Sequence, residues 1–366
     1  MLFQILDDRN ECFGIYSNGR FIYDKLPNGL THTWSWNSAL SGQPVEYANL
    51  YVGGKSIDEC GPPHLVDRFE IRSKKIKAFI NSVSKAKINF NDVCLFEIVP
   101  SQHLKHYCEI KNDICDWVFN NYEKPQNHSF LSDLYAFCHD ISQNIVITDL
   151  QRLFRYSKND KKAYYLFNQL KDENKPILYD LWGSATGRLT TKEGSFPILN
   201  LKKDIADIVV PKNDVFVQLD FNGAEIRTLL SLLGKDQPEQ DVHEWNMSNV
   251  FKSITNREIA KQKFFAWFYN PTATDGELDK VYDRQTILQN YYSDGVVKTP
   301  FGRDIEVDDF RALNYLLQSS SSDNCLQSAI KIHKFLNDKK SFVHSVVHDS
   351  IVIDMTFEER QLLPIL

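Results

Sequence analysis

Two aspartates at the ends of apolar runs are the residues of this chain best placed for chemistry. Asp220 ends a run of alternating apolar residues that begins at Val215, and Asp349 lies at a turn between the runs FVHSVV and SIVID. Carboxylates at the exposed tips of buried strands provide the hard oxygen ligands that Mg²⁺ prefers. Brought together, the two could hold paired Mg²⁺ ions about 4 Å apart, the arrangement used in phosphoryl transfer. Taken singly, each aspartate is more typical of an ordinary turn.

A second candidate is a helix face made of two cations followed by two aromatic residues. These residues recur every four positions, as Arg257, Lys261, Phe265 and Tyr269. A four-residue step drifts only about 40° around a helix, so all four share one face. Such a face could bind a triphosphate at its cationic end and a base at its aromatic end. The alternative is an amphipathic core helix whose basic side chains lie along apolar surface and reach water.

Composition is that of a soluble globular protein. The chain has 366 residues, 42% hydrophobic and 25% charged, which is room for two or three domains and excludes disordered and collagen-like classes. It has no apolar run near the roughly 20 residues that span a bilayer, and its start lacks a signal peptide, so we expect a cytoplasmic protein without a membrane partner. Its seven cysteines are scattered without a C-x-x-C pair, which indicates reduced thiols.

The charge distribution is uneven. A net charge of −6 argues against a nucleic-acid binder, but the stretch from Gln151 to Lys175 holds seven Lys and Arg against three carboxylates. Local patches rather than the average bind phosphates. This basic stretch is either a solvated helix face or a contact for a nucleic-acid backbone.

The order of predicted elements suggests how the chain is organised. The first 60 or so residues read as β-rich, with strand candidates in LFQILDD, RFIYDKL, TWSW and YANLYVGG. Helical patterns dominate from there to about residue 178, and residues 241–297 are again helical and polar. NDVFVQLDF is a strand by its alternation, and SFVHSVVHDSIVID reads as two strands that meet at His348 and Asp349.

Six motifs stand in order between residues 186 and 350. They are TGRLTT (186–191) with PILN (197–200), LDFNGAEIR (219–227), REIAKQKFFAWFY (257–269), TPFGR (299–303), NYLLQSSSSD (314–323) and VVHDS (346–350). Together they resemble the motifs of family A DNA polymerases, the bacterial DNA polymerase I type. LDFNGAEIR resembles motif A, REIAKQKFFAWFY resembles motif B and VVHDS resembles motif C. The resemblance covers a little under half of the chain.

The resemblance implies an α+β fold with the right-hand architecture of polymerases. It implies a palm at 181–232 and 304–366, shortened fingers at 233–303, and a thumb within the helical region 96–180. Because the basic stretch falls where the thumb should be, contact with a DNA duplex is favoured over a solvated face. Residues 1–95 lie outside the resemblance and are expected to form a small β-rich domain of unknown role.

By resemblance, the phosphate and metal chemistry falls to a small group of residues. Asp220 and Asp349 would hold two Mg²⁺ ions, with the backbone carbonyl of Phe221 as a further ligand. Arg257 and Lys261 would bind the β- and γ-phosphates of the incoming nucleotide, and Lys261 is a candidate to protonate the leaving group.

The same resemblance assigns the residues that recognise sugar, base and primer. Phe265 would pack against the incoming sugar, Tyr269 would close the templating-base pocket, and Glu225 would exclude a ribose 2′-hydroxyl. The groups expected to read the minor-groove edge near the primer end are Arg188, Gln318, His348 and Asn314.

Some positions depart from the family pattern. Ser350 follows the motif C aspartate where the family usually has Glu, a loss we expect to be tolerated because that Glu is peripheral. The His-Asp-Ser sequence also resembles single-subunit phage RNA polymerases, but Glu225 and Phe265 favour DNA synthesis. The short segment 269–302 implies trimmed fingers and a compact phage or viral version, located in a host cytoplasm. Only residues 355–366 follow motif C, so the palm is either truncated or closed differently.

The predicted function is a template-directed DNA polymerase that uses primer-template DNA, dNTPs and two Mg²⁺ ions. The alternatives are a non-catalytic DNA-binding scaffold, which would not need Asp220, Asp349, Arg257 and Lys261 together, and an enzyme like a single-subunit RNA polymerase. Replication accessory proteins remain open as further partners.

Proofreading is not expected. A 3′–5′ exonuclease needs an Asp-x-Glu on its first strand, and the acidic residues near the start, Asp7, Asp8 and Glu11, do not have that spacing. Fewer than 100 residues precede the helical region, which is short for an α/β exonuclease domain.

Overall fold

The structure is a computed structural model with a mixed α and β fold. It describes residues 1–7, 14–23, 26–88, 98–251 and 253–365. The chain divides into two compact units, Met1–Ala136 and Phe137–Leu366. Within the ranges just given, helices long and apolar enough to cross a bilayer are absent.

The first unit combines a small meander with two long helices. Strands β1 (Phe3–Asp7), β2 (Gly14–Ser17) and β3 (Arg20–Tyr23) pair antiparallel in that order, and the short strands β4 (His32–Thr33) and β5 (Glu46–Tyr47) pair in parallel. The helices are α1 (Ala48–Tyr51), α2 (Ile57–Cys60), α3 (Pro63–Lys85), α4 (Ser101–Asn121) and α5 (His128–Ser142), which continues into the second unit. A 3₁₀ turn spans Ser38–Leu40.

The first unit extends past the predicted domain boundary at residue 95. The reason is that α4 packs against both α3 and β1. Ile114 and Cys115 of α4 are fully buried in the same hydrophobic cluster as Ala48 and Ile57. The predicted β-rich domain is therefore a mixed unit in which two long helices supply much of the core.

One predicted strand of this unit is a helix. The segment YANLYVGG was expected to be extended because of its aromatic residues, yet Ala48–Tyr51 is helical and Val52 caps it. Ala48 and Val52 are four residues apart and both pack into the cluster around Ile114. Tertiary packing of that helical face outweighs the local strand preference.

The second unit is built on a three-stranded antiparallel sheet. Its strands, in order, are β12 (Phe342–Val347), β13 (Ser350–Met355) and β8 (Val215–Asp220). Strand β13 pairs with β8 so that Ser350 lies opposite Asp220. His348 at the turn between β12 and β13 adopts the left-handed region with φ of 56°. The strands of this unit are β6 (Tyr179–Asp180), β7 (Thr190–Thr191), β8 (Val215–Asp220), β9 (Tyr292–Ser293), β10 (Val296–Lys298), β11 (Asp304–Glu306), β12 (Phe342–Val347) and β13 (Ser350–Met355). The strand and hairpin predicted from alternation are confirmed.

Helices surround this sheet and gather in a second core. They are α6 (Leu150–Ser157), α7 (Lys161–Leu170), α8 (Ala224–Leu232), α9 (Val242–Asn249), α10 (Arg257–Phe268), α11 (Leu278–Val281), α12 (Arg284–Tyr291) and α13 (Asp309–Leu336), with 3₁₀ turns at Ile198–Asn200, Lys203–Ile208 and Phe357–Leu362. The long helix α13 packs against α8 and β12. Buried residues of α8, α10 and α13, such as Leu229, Phe264 and Leu316, share one cluster.

Candidate active site

The two aspartates of the sequence analysis lie at neighbouring strand ends. Asp220 is the last residue of β8, and Asp349 directly precedes β13, the strand that pairs with it. The backbone N–H of Phe221 donates to the carbonyl of Asp349 at 3.5 Å. Burial, with the nearby charges of Asp349 and Asp220, raises the pKa of the Cys325 thiol to about 12. Both carboxylates therefore interact electrostatically with one buried thiol, as expected if they share a site.

Ser350 holds the carboxylate of Asp220 in place. Its hydroxyl donates to Oδ1 of Asp220 at 2.5 Å, and Nε2 of Gln218 donates to the Ser350 hydroxyl at 2.8 Å. Because Gln218 fills an acceptor site on the hydroxyl oxygen, the hydroxyl proton is left to point at Asp220. Gln218 and Ser350 thus form a short relay that orients the carboxylate of Asp220.

Loss of this relay should weaken metal binding. Hydrogen-bond partners that orient a metal ligand typically contribute about 10- to 100-fold in metal affinity. We expect Ser350→Ala to raise the Mn²⁺ dissociation constant measured by electron paramagnetic resonance about tenfold, whereas Ser350→Thr, which keeps the hydroxyl, should stay near wild type. Equal Mn²⁺ affinity in the alanine variant and the wild type would contradict the role given to Ser350.

The donor set at these strand ends fits a hard divalent cation. Two carboxylates at adjoining strand ends, Asp220 exposed and Asp349 half-buried, offer the oxygen ligands that such a cation prefers. Among the described residues, the cation recorded in an ion pair with one of these carboxylates is Arg188, whose Nη2 lies 3.9 Å from Oδ1 of Asp349. Arg188 is already engaged with Glu225 at 2.9 Å, so it does not neutralise the pair by itself.

Helix α10 presents the four predicted residues along one flank of its core side. Asn256 caps the helix by accepting from the backbone N–H groups of Glu258 and Ile259. Phe264 and Phe268 are buried, Arg257, Lys261 and Phe265 are half-buried, and Tyr269 is 44% exposed. Phe265 also packs against the hydrophobic cluster that contains Phe264. The amphipathic-core alternative therefore holds for Phe265, whereas Tyr269 reaches solvent.

The aromatic end of that face is preorganised. The rings of Phe265 and Tyr269 stack with centroids 5.5 Å apart and planes 9° from parallel. The Tyr269 hydroxyl donates to Oε2 of Glu225 at 2.8 Å, and Arg188 binds the other oxygen of the same carboxylate. Burial and Glu225 together raise the pKa of Tyr269 well above its usual value. Three residues predicted to recognise sugar, base and primer thus form one network beside Asp349.

The cationic end is held by an aspartate that the sequence analysis did not single out. Asp241 accepts from Nε of Arg257 at 3.2 Å and from Nη2 at 2.7 Å, a bidentate pair. The same carboxylate caps α9 and accepts from Asn222, in the motif A loop, at 2.9 Å. The Arg257 guanidinium and these hydrogen bonds hold the pKa of Asp241 well below its usual range. Asp241 therefore ties motif A, α9 and α10 together.

His243 is a second residue that sequence reasoning missed. It lies on α9 with its ring 5.7 Å from that of Phe265, and its Nδ1 has no hydrogen-bond partner among the described residues. Burial lowers its pKa, and the charges of Arg257 and Lys261 lower it further. The sequence feature that could have pointed to His243 is its position two residues after Asp241, the aspartate that caps α9. Both residues lie in the segment between motifs A and B.

Three of the predicted motifs meet around a buried ion pair. Arg303 of TPFGR binds Asp323 of α13 through Nε at 2.7 Å and Nη2 at 2.8 Å, and the Asp323 side chain is fully buried. Gly187 of TGRLTT has φ of +73°, and a Cβ there would lie 2.5 Å from Cζ of Arg303. Only glycine allows this approach, which holds the loop carrying Arg188 against the guanidinium.

The remaining predicted residues, Asn314, Gln318 and His348, lie on α13 and at the hairpin turn. Asn314 and Gln318 are one turn apart on α13 and half-buried, and Asn314 borders a cleft of about 340 Å³ together with Phe268 and Phe310. His348 is exposed at the hairpin turn. Among the described residues, the structure records no contact that joins Asn314, Gln318 or His348 to Asp220.

The basic stretch forms a helical hairpin, α6 with α7. Arg152 is paired with Asp149 and Asp207. Within the described part of the chain, no ion pair is recorded for the exposed cations of this stretch, which are Arg155, Lys158, Lys161, Lys162 and Lys171. Tyr164 and Tyr165 are exposed beside them. The hairpin therefore offers free cations and rings to an anionic partner.

Comparison with known proteins places this site in a known fold. Neither a protein-family model nor a curated protein sequence matches the chain. Among solved structures, it is similar to the POL domain of Pol1 from M. smegmatis in complex with DNA primer-template and dNTP, with a TM-score of 0.57 and 15% sequence identity. The match covers 72% of this chain and 71% of that chain. This chain has a polymerase fold. The predicted fold is confirmed at that level, from a solved structure that shares little sequence with it.

Proposed function

We propose that this chain is a template-directed DNA polymerase that adds dNTPs to the 3′-hydroxyl of a primer. The observation that carries the proposal is the meeting of Asp220 and Asp349 at neighbouring strand ends beside the network of Arg188, Glu225 and Tyr269. The polymerase fold supports it, since the similar solved structure holds primer-template DNA and a dNTP. Presence of the six motifs in family order supports it independently.

In this proposal the second unit is a right hand of a compact, family A type such as a phage or virus would encode. The sheet β12-β13-β8 with α13 is the palm, helices α9 to α12 are the trimmed fingers, and the α6–α7 hairpin is the thumb. The thumb's free cations would follow the phosphate backbone of the duplex.

Asp220 and Asp349, with the carbonyl of Phe221, would hold two Mg²⁺ ions. Bound there, Mg²⁺ supplies activation of the primer hydroxyl and neutralises charge on the triphosphate. Arg257 and Lys261 bind the β- and γ-phosphates. Lys261 carries a proton that it can give to the leaving pyrophosphate, so that no free negative charge has to develop on the departing oxygen.

Selection of sugar and base falls to the aromatic end of α10. Phe265 packs on the incoming sugar, and Tyr269 covers the templating-base pocket until a nucleotide displaces it. Glu225 occupies the space that a ribose 2′-hydroxyl would need. Arg188, His348, Gln318 and Asn314 follow the minor-groove edge at the primer end.

The proposal includes no proofreading activity. Of the acidic residues near the start of the chain, Asp8 and Glu11 lie outside the described residues. The proposed partners are primer-template DNA and dNTPs, and replication accessory proteins are left open.

A primer-extension assay in Mg²⁺ tests the proposal directly. A labelled primer annealed to a longer template is incubated with the four dNTPs or, in parallel, with the four NTPs. We expect extension to the template end with dNTPs and little with NTPs. Tight primer-template binding without extension would favour the scaffold alternative, and equal use of NTPs would favour the RNA polymerase alternative.

Sugar discrimination should depend on the size of the Glu225 side chain. Glu225→Ala opens space at the 2′ position and frees Arg188 and Tyr269. We expect the ratio of dNTP to NTP incorporation efficiency to fall on the order of 10- to 100-fold, because a polar cavity then accepts the extra hydroxyl. Glu225→Gln keeps the volume and should keep most of the discrimination. Unchanged discrimination in the alanine variant would remove Glu225 from this role.

A further inference from the structure

Basic residues of the first unit are concentrated on α3 and the turn after it. Residues 68–87 contain seven Lys and Arg and one carboxylate. The rest of residues 1–136 contains seven Lys and Arg and fifteen Asp and Glu. Half of the cations of this unit therefore lie within one short segment, in a chain whose net charge is −6. This segregation is stronger than that of the basic stretch in the second unit.

Among the described residues, few of these cations are recorded in an ion pair. Arg68 lies 3.7 Å from Asp113, and Lys74 lies 3.3 Å from Glu70. No ion pair with a described residue is recorded for the other five, which are Arg72, Lys75, Lys77, Lys85 and Lys87. Clustered like charges repel one another, so such a surface gains most when an anion binds to it.

The cations border a continuous exposed surface of α3. Leu65 and Ile76 face the core, so the opposite side of the helix is turned outward. At about 100° per residue, Arg68 and Lys75 lie along one edge of an outward strip, and Lys74 and Lys85, near the middle of the outward side, lie along its other edge. Lys77 lies beyond the second edge, and Arg72 is half-buried nearer the core side. We call this outward strip and its flanking cations the α3 surface.

The outward side between the two edges favours a phosphate backbone over other anionic partners. Ile71, 56% exposed, is its one large apolar side chain, and Ala78 and Ser82 are small. A helix that lies on a membrane needs a broad apolar face, and here that face is buried in the core. The centre of a protein interface is normally rich in aromatic residues, and this strip has none. The 23 residues of α3 span about 34 Å, which is about one turn of B-DNA.

We propose that the α3 surface binds the phosphate backbone of DNA, so that the first unit is a second DNA-binding element outside the polymerase site. The choice of DNA as the anion rests on the proposed function. The duplex behind the primer end and the single-stranded template ahead of it present the same phosphate chemistry, and the experiment separates these two sources.

The test compares two triple variants of the full chain with equal changes in charge. Lys75→Gln/Lys77→Gln/Lys85→Gln removes cations of the α3 surface, and Lys55→Gln/Lys105→Gln/Lys111→Gln removes three from elsewhere in the same unit. Dissociation constants are measured for blunt duplex, for primer-template and for single-stranded DNA over a range of salt concentrations. Thermal unfolding of each variant confirms that it is folded.

We expect the α3 variant, and not the control, to lose at least tenfold in affinity at low salt. The slope of log K against log salt should fall by about 0.9 per lost contact on a duplex or about 0.7 on a single strand. The DNA that shows the larger change identifies the source of the phosphates. An unchanged slope on all three DNAs would overturn the proposal. Binding of the variants to vesicles of anionic phospholipid is measured in parallel, and a loss confined to the vesicles would overturn it as well.

Primer extension measured on the same preparations separates this proposal from the proposed function. At saturating primer-template, the α3 variant should extend at the wild-type rate, because its site is untouched. If the wild type extends primers while the slopes stay unchanged, the α3 proposal alone fails. If the slopes change but the wild type extends nothing, the proposed function fails and the α3 surface stands.

Discussion

Replacement of either strand-end aspartate should abolish primer extension. In Asp220→Ala or Asp349→Ala, one of the two carboxylates that would hold Mg²⁺ is gone, and the charge that develops on the transferred phosphoryl group loses its stabilisation. We expect the single-turnover rate to fall at least 10³-fold, about 4 kcal/mol in barrier height. Duplex affinity should stay within a few-fold of wild type, because the phosphate contacts remain.

A matched control for this prediction is Asp338→Ala, which removes an exposed aspartate whose one recorded side-chain partner among the described residues is Lys339. It should leave the rate unchanged. If either strand-end variant retains a rate within tenfold of wild type, the assignment of these two aspartates is wrong.

The second large effect is expected at Lys261, which is half-buried on the same flank of α10 as Arg257. Lys261→Ala should lower the rate of nucleotide incorporation by about 10²-fold, because it removes both a phosphate contact and the proposed proton donor to pyrophosphate. Lys261→Arg keeps the charge but holds its proton more firmly. It should therefore restore dNTP affinity more than it restores the rate.

The same helix offers a control two residues away. Lys263 binds Asp275 at 2.9 Å and lies over the ring of Phe251, away from the predicted face. Lys263→Ala should affect thermal stability and leave the incorporation rate near wild type. Equal losses of rate in the two alanine variants would mean that α10 tolerates no change of charge, and that Lys261 has no special role.

Local pattern was sufficient to predict the elements that carry the candidate site. Alternation predicted β8 and the β12–β13 hairpin, because one face of each strand is buried and the period of a strand is two residues. The four-residue repeat predicted that Arg257, Lys261 and Phe265 share one side of α10, because positions four apart share one side of a helix. These predictions depend on neighbours in sequence, which a single chain displays.

What the sequence did not reveal are contacts between distant segments. Asp241 holds Arg257 and Asn222 only after α9 and α10 have packed, and Ser350 meets Asp220 only because of the register of β13 on β8. The first unit reaches Ala136 because α4 packs on α3 and β1. Such pairings follow from tertiary packing, for which local propensity carries no signal.

In a template-directed polymerase, the template base selects the nucleotide that is joined to the primer. A rapid-quench measurement tests it most directly, with four primer-templates that differ only in the first unpaired template base and each of the four dNTPs in turn. We expect fast incorporation of the complementary dNTP on every template. Each mismatched dNTP should be incorporated more slowly by on the order of 10³-fold or more. Incorporation that does not depend on the template base, or primer-template binding without any incorporation, would contradict it.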